Sequence, residues 1–140
     1  MQTSLYFAYG ANMHIKYMNQ RCPEAIPVRQ LDLRDWELKF YNHATILPVT
    51  GTHTPGVLWT ITEECESLLD NFEGYPSYYT KRKWSQDGVE FFFYEMTPAN
   101  YFGSPGYNYV SGIIESYNTW NIPAAHLESV LHATRDNQTP

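Results

Sequence analysis

"GVLWTITEECESLLDNFEG", Gly56 to Gly74, changes its hydrophobic period once, and that change sets the reading of the chain. Gly56 to Ile61 is a short apolar run with β-branched and aromatic members, which predicts a buried strand. At Thr62 the pattern turns. Thr62 is a good N-cap, and Glu63 and Glu64 place negative charge in a first helical turn, at the positive end of the macrodipole. Cys65, Leu68, Leu69 and Phe72 then recur at i, i+3, i+4 and i+7, an apolar helical stripe. Gly74 stands where helices commonly stop. Glu73 is therefore the last helical residue.

Working outward, Leu5 to Tyr9 reads as a buried strand stopping at Gly10. Ala11 to Gln20 predicts a short helix with Asn12 as its candidate cap, ended by Pro23. Val28 to Tyr41 holds one or two strands, with Trp36, Leu38 and Phe40 on one face by alternation. Ala44 to Leu47 is another short apolar run, and Pro48 to Gly56 is turn chemistry. Beyond the central helix, Tyr78 to Ser85 and Val89 to Met96 read as strands joined by Gln86-Asp87-Gly88, a hairpin signal. Thr97 to Asn108, rich in Pro, Gly, Asn and Tyr, predicts a long loop, and long loops in compact domains are often functional. Tyr109 to Tyr117 predicts a helix with Val110, Ile113, Ile114 and Tyr117 on one face. Pro123 fits the first turn of a last helix with Leu127, Val130 and Leu131 inward. The expected organisation is one domain over residues 1–134 and a polar tail over 135–140. The expected fold class is α+β, a β-rich core with a few short helices.

The 140 residues suffice for one proper core. A net charge of −6, with Lys81, Arg82 and Lys83 as the sole basic cluster, argues against nucleic acid and against an anionic membrane surface. Cys22 and Cys65 are isolated: the pair could bridge, but nothing in the sequence asks for it, and two free thiols in a reducing compartment are the favoured reading. With no charged-then-apolar leader and no apolar run of spanning length, the expected location is cytoplasmic. His14, His43, His53, His126 and His132 lack a paired metal spacing, so no metal is expected. There is no Gly-x-Ser-x-Gly elbow and no signature of an activated thiol.

Two segments carry candidate chemistry. Glu73 closes a helix, where its carboxylate faces the negative end of the macrodipole, and the tyrosines Tyr75, Tyr78 and Tyr79 follow closely. Both dipole and ring desolvation disfavour the ionised carboxylate, as a proton-transfer group near neutral pH requires. By pattern alone, a glutamate before a glycine is more often a solvated helix end. The second segment is "YFAYGANM", Tyr6 to Met13. A strand runs into Gly10, and the successive N–H groups of such a turn can form a nest for a carboxylate or an oxyanion. It lacks the lysine of a phosphate loop.

Taken together, these segments resemble the gamma-glutamylcyclotransferase family, including its small gamma-glutamylamine cyclotransferases and its plant avirulence-induced members. The resemblance rests on "YGAN" at Tyr9 to Asn12, where the family typically has "YGSN", and on "ATILP" at Ala44 to Pro48. It continues through the strand Gly56 to Trp59 and the helix end "LDNFEG", Leu69 to Gly74. Tyr79 then opens the next strand, and Tyr109 precedes Ile122-Pro123.

The resemblance implies a small barrel-like mixed β-sheet with peripheral helices. It implies an enzyme that cyclises a γ-glutamyl amide or amino acid to 5-oxoproline and releases the amine, a carbon–nitrogen lyase chemistry with no cofactor. Glu73 would match the family's catalytic glutamate. The backbone of Tyr9, Gly10, Ala11 and Asn12 would hold the glutamyl end of a small-molecule substrate, and Tyr79 and Tyr109 would line its pocket. The Thr97 to Asn108 loop is expected to shape the leaving-group side. Ala11 departs from the usual serine, and Asn12 separates the chain from the glutathione-specific branch, which resembles "YGSL" there. The alternative is a catalytically inactive small-ligand binding module on the same scaffold. Oligomeric state is not legible.

Overall fold

The computed structural model describes residues 2–138. The elements run β1 (Thr3–Ala8), a 3₁₀ turn (Ala11–Met13), α1 (Ile15–Arg21), β2 (Ile26–Phe40), β3 (Ala44–Thr62), α2 (Glu63–Glu73), β4 (Tyr79–Gln86), β5 (Val89–Met96), a second 3₁₀ turn (Pro98–Asn100), α3 (Tyr107–Thr119) and α4 (Ala124–Gln138). The five strands form one mixed sheet in the order β2-β3-β1-β5-β4. Only β1 and β5 pair in parallel; the other pairs are antiparallel.

The sheet curls until its two edges meet. Gln86 of β4 accepts from the Arg34 amide at 2.8 Å and donates to the Asp32 carbonyl at 2.9 Å, both on β2. Trp36 and Trp84 meet edge to face at 5.3 Å. The edge strands are thus closed by side chains, and the barrel-like expectation holds. The buried core includes Phe7, Leu33, Trp36, Ile46, Trp59, Phe93 and Ile113.

The turn chemistry of Pro48 to Gly56 does not end a strand, because β3 runs through it. The signal survives as an excursion. Arg34 pairs with His53 and Trp36 with Pro48, so four residues, Val49 to Thr52, oppose Asp35 alone. Asp35 and Gly51 both take positive φ, and the Asp35 carboxylate accepts from the Gly51 amide at 3.0 Å. A turn-rich sequence opposite a left-handed aspartate makes a bulge inside a long hairpin. The Asp87-Gly88 hairpin forms as expected, with positive φ at both residues.

Other expectations need correction. His14 caps α1, accepting from the Tyr17 amide; Asn12 is buried instead, because polar side chains around it supply stronger partners. The α2 stripe is half used. Cys65 and Leu69 are buried, while Leu68 and Phe72 are about half exposed (50% and 51%). On α3, Ile113 and Tyr117 are buried and Ile114 is exposed. The tail expected from Arg135 is helical to Gln138, and residues 139–140 lie outside the described residues. Among the described residues no helix is long and apolar enough to cross a membrane.

The largest correction concerns the cysteines. Cys22 and Cys65 are not free thiols: they form a disulfide, with Cα atoms 5.3 Å apart across a sequence separation of 43. Neither position carries a pairing signal in sequence. The fold sets the residue that ends α1 against the first turn of α2. The inference from free thiols to a reducing compartment falls with this bond.

Candidate active site

A pocket of about 370 Å³ opens where seven parts of the chain converge. The end of β1 and the first 3₁₀ turn supply Tyr6, Tyr9, Gly10, Ala11 and Asn12. The β2–β3 hairpin tip supplies His43 and Ala44. The end of α2 supplies Asn71 to Gly74. Strand β4, with the residue before it, adds Tyr79 and Tyr78, β5 adds Tyr94, and Arg21 and Tyr109 complete the wall from α1 and α3. All seven residues singled out in the sequence (Tyr9, Gly10, Ala11, Asn12, Glu73, Tyr79 and Tyr109) line this one cavity.

Local sequence places Glu73. Thr62 accepts from the Cys65 amide at 3.1 Å and starts α2. Gly74, in the left-handed conformation, ends it through its amide bond to Asn71 and the Tyr75 amide bond to Asp70. The helix end delivers the carboxylate to the pocket floor. Burial pushes the Glu73 carboxyl up to about 7, and the nearby Arg21 guanidinium pulls the other way.

The first N–H groups of a helical turn have no partner within that turn. In the turn at Ala11–Met13, the intraturn bonds begin with Met13 to Gly10 at 3.1 Å and His14 to Ala11 at 3.1 Å. The Trp120 indole donates to the Met13 carbonyl at 2.9 Å and pins the turn against α3. Gly10 allows a close approach: an added Cβ would lie 3.1 Å from the Tyr109 hydroxyl.

The two tyrosines meet at one residue. Tyr79 donates to the Ala44 carbonyl at 2.6 Å, and the Ala44 amide donates to Tyr109 at 3.0 Å. The hairpin tip is thus clamped from both sides. Tyr9 donates to the Tyr94 carbonyl at 2.5 Å. Burial raises all three phenols above their ordinary pKa, so they stay neutral. Burial also lowers the His43 imidazole, which sits 2.8 Å from the Tyr78 hydroxyl.

Asn12 links the acid to the base. Its oxygen accepts from Arg21 at 2.9 Å, and its nitrogen lies 3.1 Å from the Tyr6 hydroxyl and 3.3 Å from Glu73 Oε1. The Arg21 guanidinium lies flat on the Phe72 ring, 3.8 Å from its centroid. Phe72 thus meets Arg21 at the pocket and not the core.

Sequence reasoning missed Arg21, Tyr6, Phe72, His43 and Tyr78 as pocket residues. Tyr6 shares its face of β1 with Ala8, which does not line the pocket, so strand alternation gives no signal for it. A lone arginine before Cys22-Pro23 carries no signal. The expected role of Thr97 to Asn108 is not met, since none of the lining residues comes from it. That segment packs on the hairpin tip from outside, with Asn42 donating to the Phe102 carbonyl at 3.0 Å and Tyr41 stacked on Tyr101 at 4.8 Å. Among the described residues no group of three or more His, Cys, Asp or Glu could hold a metal ion.

Known proteins are similar to this chain in sequence and in fold. A gamma-glutamylcyclotransferase from Mus musculus is 33% identical over 88 residues, which cover 54% of this chain and 47% of that protein. The Bos taurus counterpart is 32% identical over the same length. The chain spans about half the length of these curated relatives. A solved gamma-glutamyl cyclotransferase superposes with a TM-score of 0.80 at 26% identity, covering 92% of this chain and 86% of the other. An uncharacterized protein from Homo sapiens superposes at 0.79 with 28% identity, covering 93% and 87%. The family model described as gamma-glutamyl cyclotransferase, AIG2-like, matches residues 6–112, the span from Tyr6 through the first turns of α3 that builds the pocket. By that match, and by a fold shared over nearly its whole length, the chain belongs to the gamma-glutamyl cyclotransferase, AIG2-like family.

Proposed function

We propose that this chain is a gamma-glutamylcyclotransferase-type enzyme, converting a γ-glutamyl amide or γ-glutamyl amino acid to 5-oxoproline and a free amine or amino acid. The supporting observation is the Glu73 carboxylate, desolvated to a pKa of about 7 in the same pocket as the turn at Gly10 to Asn12. The family membership and the named relatives point the same way.

The substrate's own α-amine attacks its γ-carbonyl carbon. Holding the chain curled supplies the proximity, with effective molarities of roughly 10⁵–10⁸ M for well-oriented intramolecular attack. The new C–N bond forms as Glu73 takes a proton from the amine. A tetrahedral oxyanion results. It collapses as the original C–N bond breaks, and Glu73 returns the proton to the leaving nitrogen. The N–H groups opening the turn at Ala11 and Asn12 hold the α-carboxylate. Backbone groups do this work, so Ala11 in place of serine leaves it intact. Tyr79 and Tyr109 act through the wall they hold.

The test is a panel of γ-glutamyl amino acids and γ-glutamyl amines assayed for 5-oxoproline, with wild type and Glu73→Gln in parallel. Turnover by wild type and its loss in the variant are expected. Equal activity in the two removes Glu73 from the mechanism, and binding of 5-oxoproline without turnover on any substrate supports the binding-module reading instead.

A further inference from the structure

The hydrogen bonds around Asn12 have a direction. An arginine side chain donates and never accepts. The atom of Asn12 facing Arg21 at 2.9 Å is therefore its oxygen, which turns both amide hydrogens the other way. One faces Glu73 Oε1 at 3.3 Å and the other the Tyr6 hydroxyl at 3.1 Å. Tyr6 is thus an acceptor from Asn12, and its own hydrogen is not used in that contact. Among the hydrogen bonds of the described residues, Tyr6 donates to none. Yet the residue is only 4% exposed, lines the pocket, and has its ring fixed by stacking on Phe92 at 5.4 Å. A buried donor left unmade costs on the order of 1–3 kcal/mol. Such a group, aimed into a cavity, calls for an acceptor on a ligand.

We infer that the Tyr6 hydroxyl donates to the carbonyl oxygen of the γ-glutamyl unit, with Arg21 and Asn12 as positioning residues that turn its hydrogen toward the pocket. The inference rests on the reading given under Proposed function and adds to it the donor for the developing oxyanion. The balance is simple. As the amine attacks, the carbonyl π electrons move onto oxygen, and the Tyr6 O–H strengthens its hydrogen bond without giving up the proton. Burial, with Glu73 beside it, raises the phenol far above its ordinary pKa, so it keeps its hydrogen throughout. The oxygen loses its charge again when the leaving nitrogen departs. The product lactam carries the same oxygen, so the same donor contacts 5-oxoproline.

The experiment compares full-length wild type, Tyr6→Phe, Arg21→Met and Arg21→Lys, in turnover of the γ-glutamyl panel at the pH plateau and in calorimetric binding of 5-oxoproline. Tyr6→Phe keeps the ring and its stacking. It should lower kcat roughly 10²–10³-fold with KM little changed, as loss of one oxyanion donor does, and weaken 5-oxoproline about tenfold. Arg21→Met should lose kcat too, and Arg21→Lys, also a pure donor, should recover most of it. A Tyr6→Phe variant within about threefold of wild type in both kcat and 5-oxoproline affinity overturns the assignment and leaves the proposed reaction standing. If wild type turns over no substrate but binds 5-oxoproline, and Tyr6→Phe binds it weakly, the donor role is supported and the cyclisation reading fails. If wild type neither reacts nor binds, both fall. Should Tyr6→Phe not fold, Asn12→Asp decides: a carboxylate there keeps Arg21, captures the Tyr6 hydrogen, and should cost a similar factor in kcat. Retained kcat overturns the inference.

Discussion

The amide nitrogen of Asn12 lies 3.3 Å from Glu73 Oε1, although 61 residues separate them in the chain. That contact joins the turn after β1 to the end of α2. It sets a half-buried carboxylate against a neutral amide donor whose oxygen in turn accepts from the Arg21 guanidinium. Burial wins over the guanidinium, and the Glu73 carboxyl rises from 4.5 to about 7.

The raised value has a sign for stability. Between about pH 4.5 and 7 the folded state keeps the Glu73 proton that the unfolded chain has lost. Stability is then fully present below the unfolded value and falls as pH rises toward 7, by at most about 3 kcal/mol for a shift of this size. Glu73→Gln removes the term. Denaturant midpoints measured from pH 4 to 8 should decline through this window in wild type and stay flatter in the variant. Parallel curves for the two proteins would mean that Glu73 is solvated.

On the proposed mechanism, the same group sets the acid limb of activity. A base must be ionised to work, so kcat/KM should rise with pH through about 7. Arg21 favours the ionised form. Arg21→Met should therefore move the limb to higher pH, by about one unit for a nearby opposite charge. Arg21→Lys should hold it in place. The pH profiles of the three proteins check this, and a limb that ignores the charge at position 21 contradicts the electrostatic link.

Gly10 and Tyr109 make a more local case. The 3.1 Å from an added Cβ to the Tyr109 hydroxyl is tight, and the Ala44 amide holds that hydroxyl in place at 3.0 Å. Gly10→Ala should cost about 1–2 kcal/mol by overpacking. Tyr109→Phe should lose about 1 kcal/mol with its hydrogen bond. The double variant should be more stable than the sum of the two, because the second change removes the atom that the first one strikes. A double-mutant cycle by thermal or denaturant unfolding measures this coupling, and strict additivity would refute the contact.

How much of this the sequence disclosed depends on the range of the interaction. Thr62, Glu73, Gly74 and the Asp87-Gly88 turn were legible because caps and turns are decided within a few residues. The seven candidate residues were named through family resemblance, and they do line one cavity. Arg21 and Tyr6 were not. Their roles depend on Asn12, which brings α1, β1 and α2 together only in the folded chain. Leu68 and Phe72 fit the helical stripe by period, yet α2 packs on the core along one narrow line. Pro48 to Gly56 carried true turn signals, but a bulge opposite Asp35 absorbed them without ending β3.

The Cys22–Cys65 bond lay beyond sequence for the same reason, and it gives a measurable consequence. It closes a loop across a separation of 43 residues. By chain entropy alone, such a cross-link stabilises the fold by roughly 3–4 kcal/mol. Both cysteines are buried, at 1% and 3% exposure, so reduction should be slow in the native state and rapid once denaturant opens the core. Unfolding curves with and without reductant, each equilibrated fully, should therefore differ in midpoint, with the reduced protein less stable. The loss should reach the site as well. Cys22 follows Arg21 at the end of α1, and Cys65 lies in the first turn of α2, whose last residue is Glu73. Freed of the bond, α1 can shift against α2, and Arg21 loses its fixed place on Asn12 and Phe72. The reduced but folded protein should show a weakened acid-limb response to Arg21 and a lower kcat than the oxidised form. Identical midpoints under the two conditions, with mass spectrometry finding two free thiols in the untreated protein, would show that α1 and α2 are held together by packing alone.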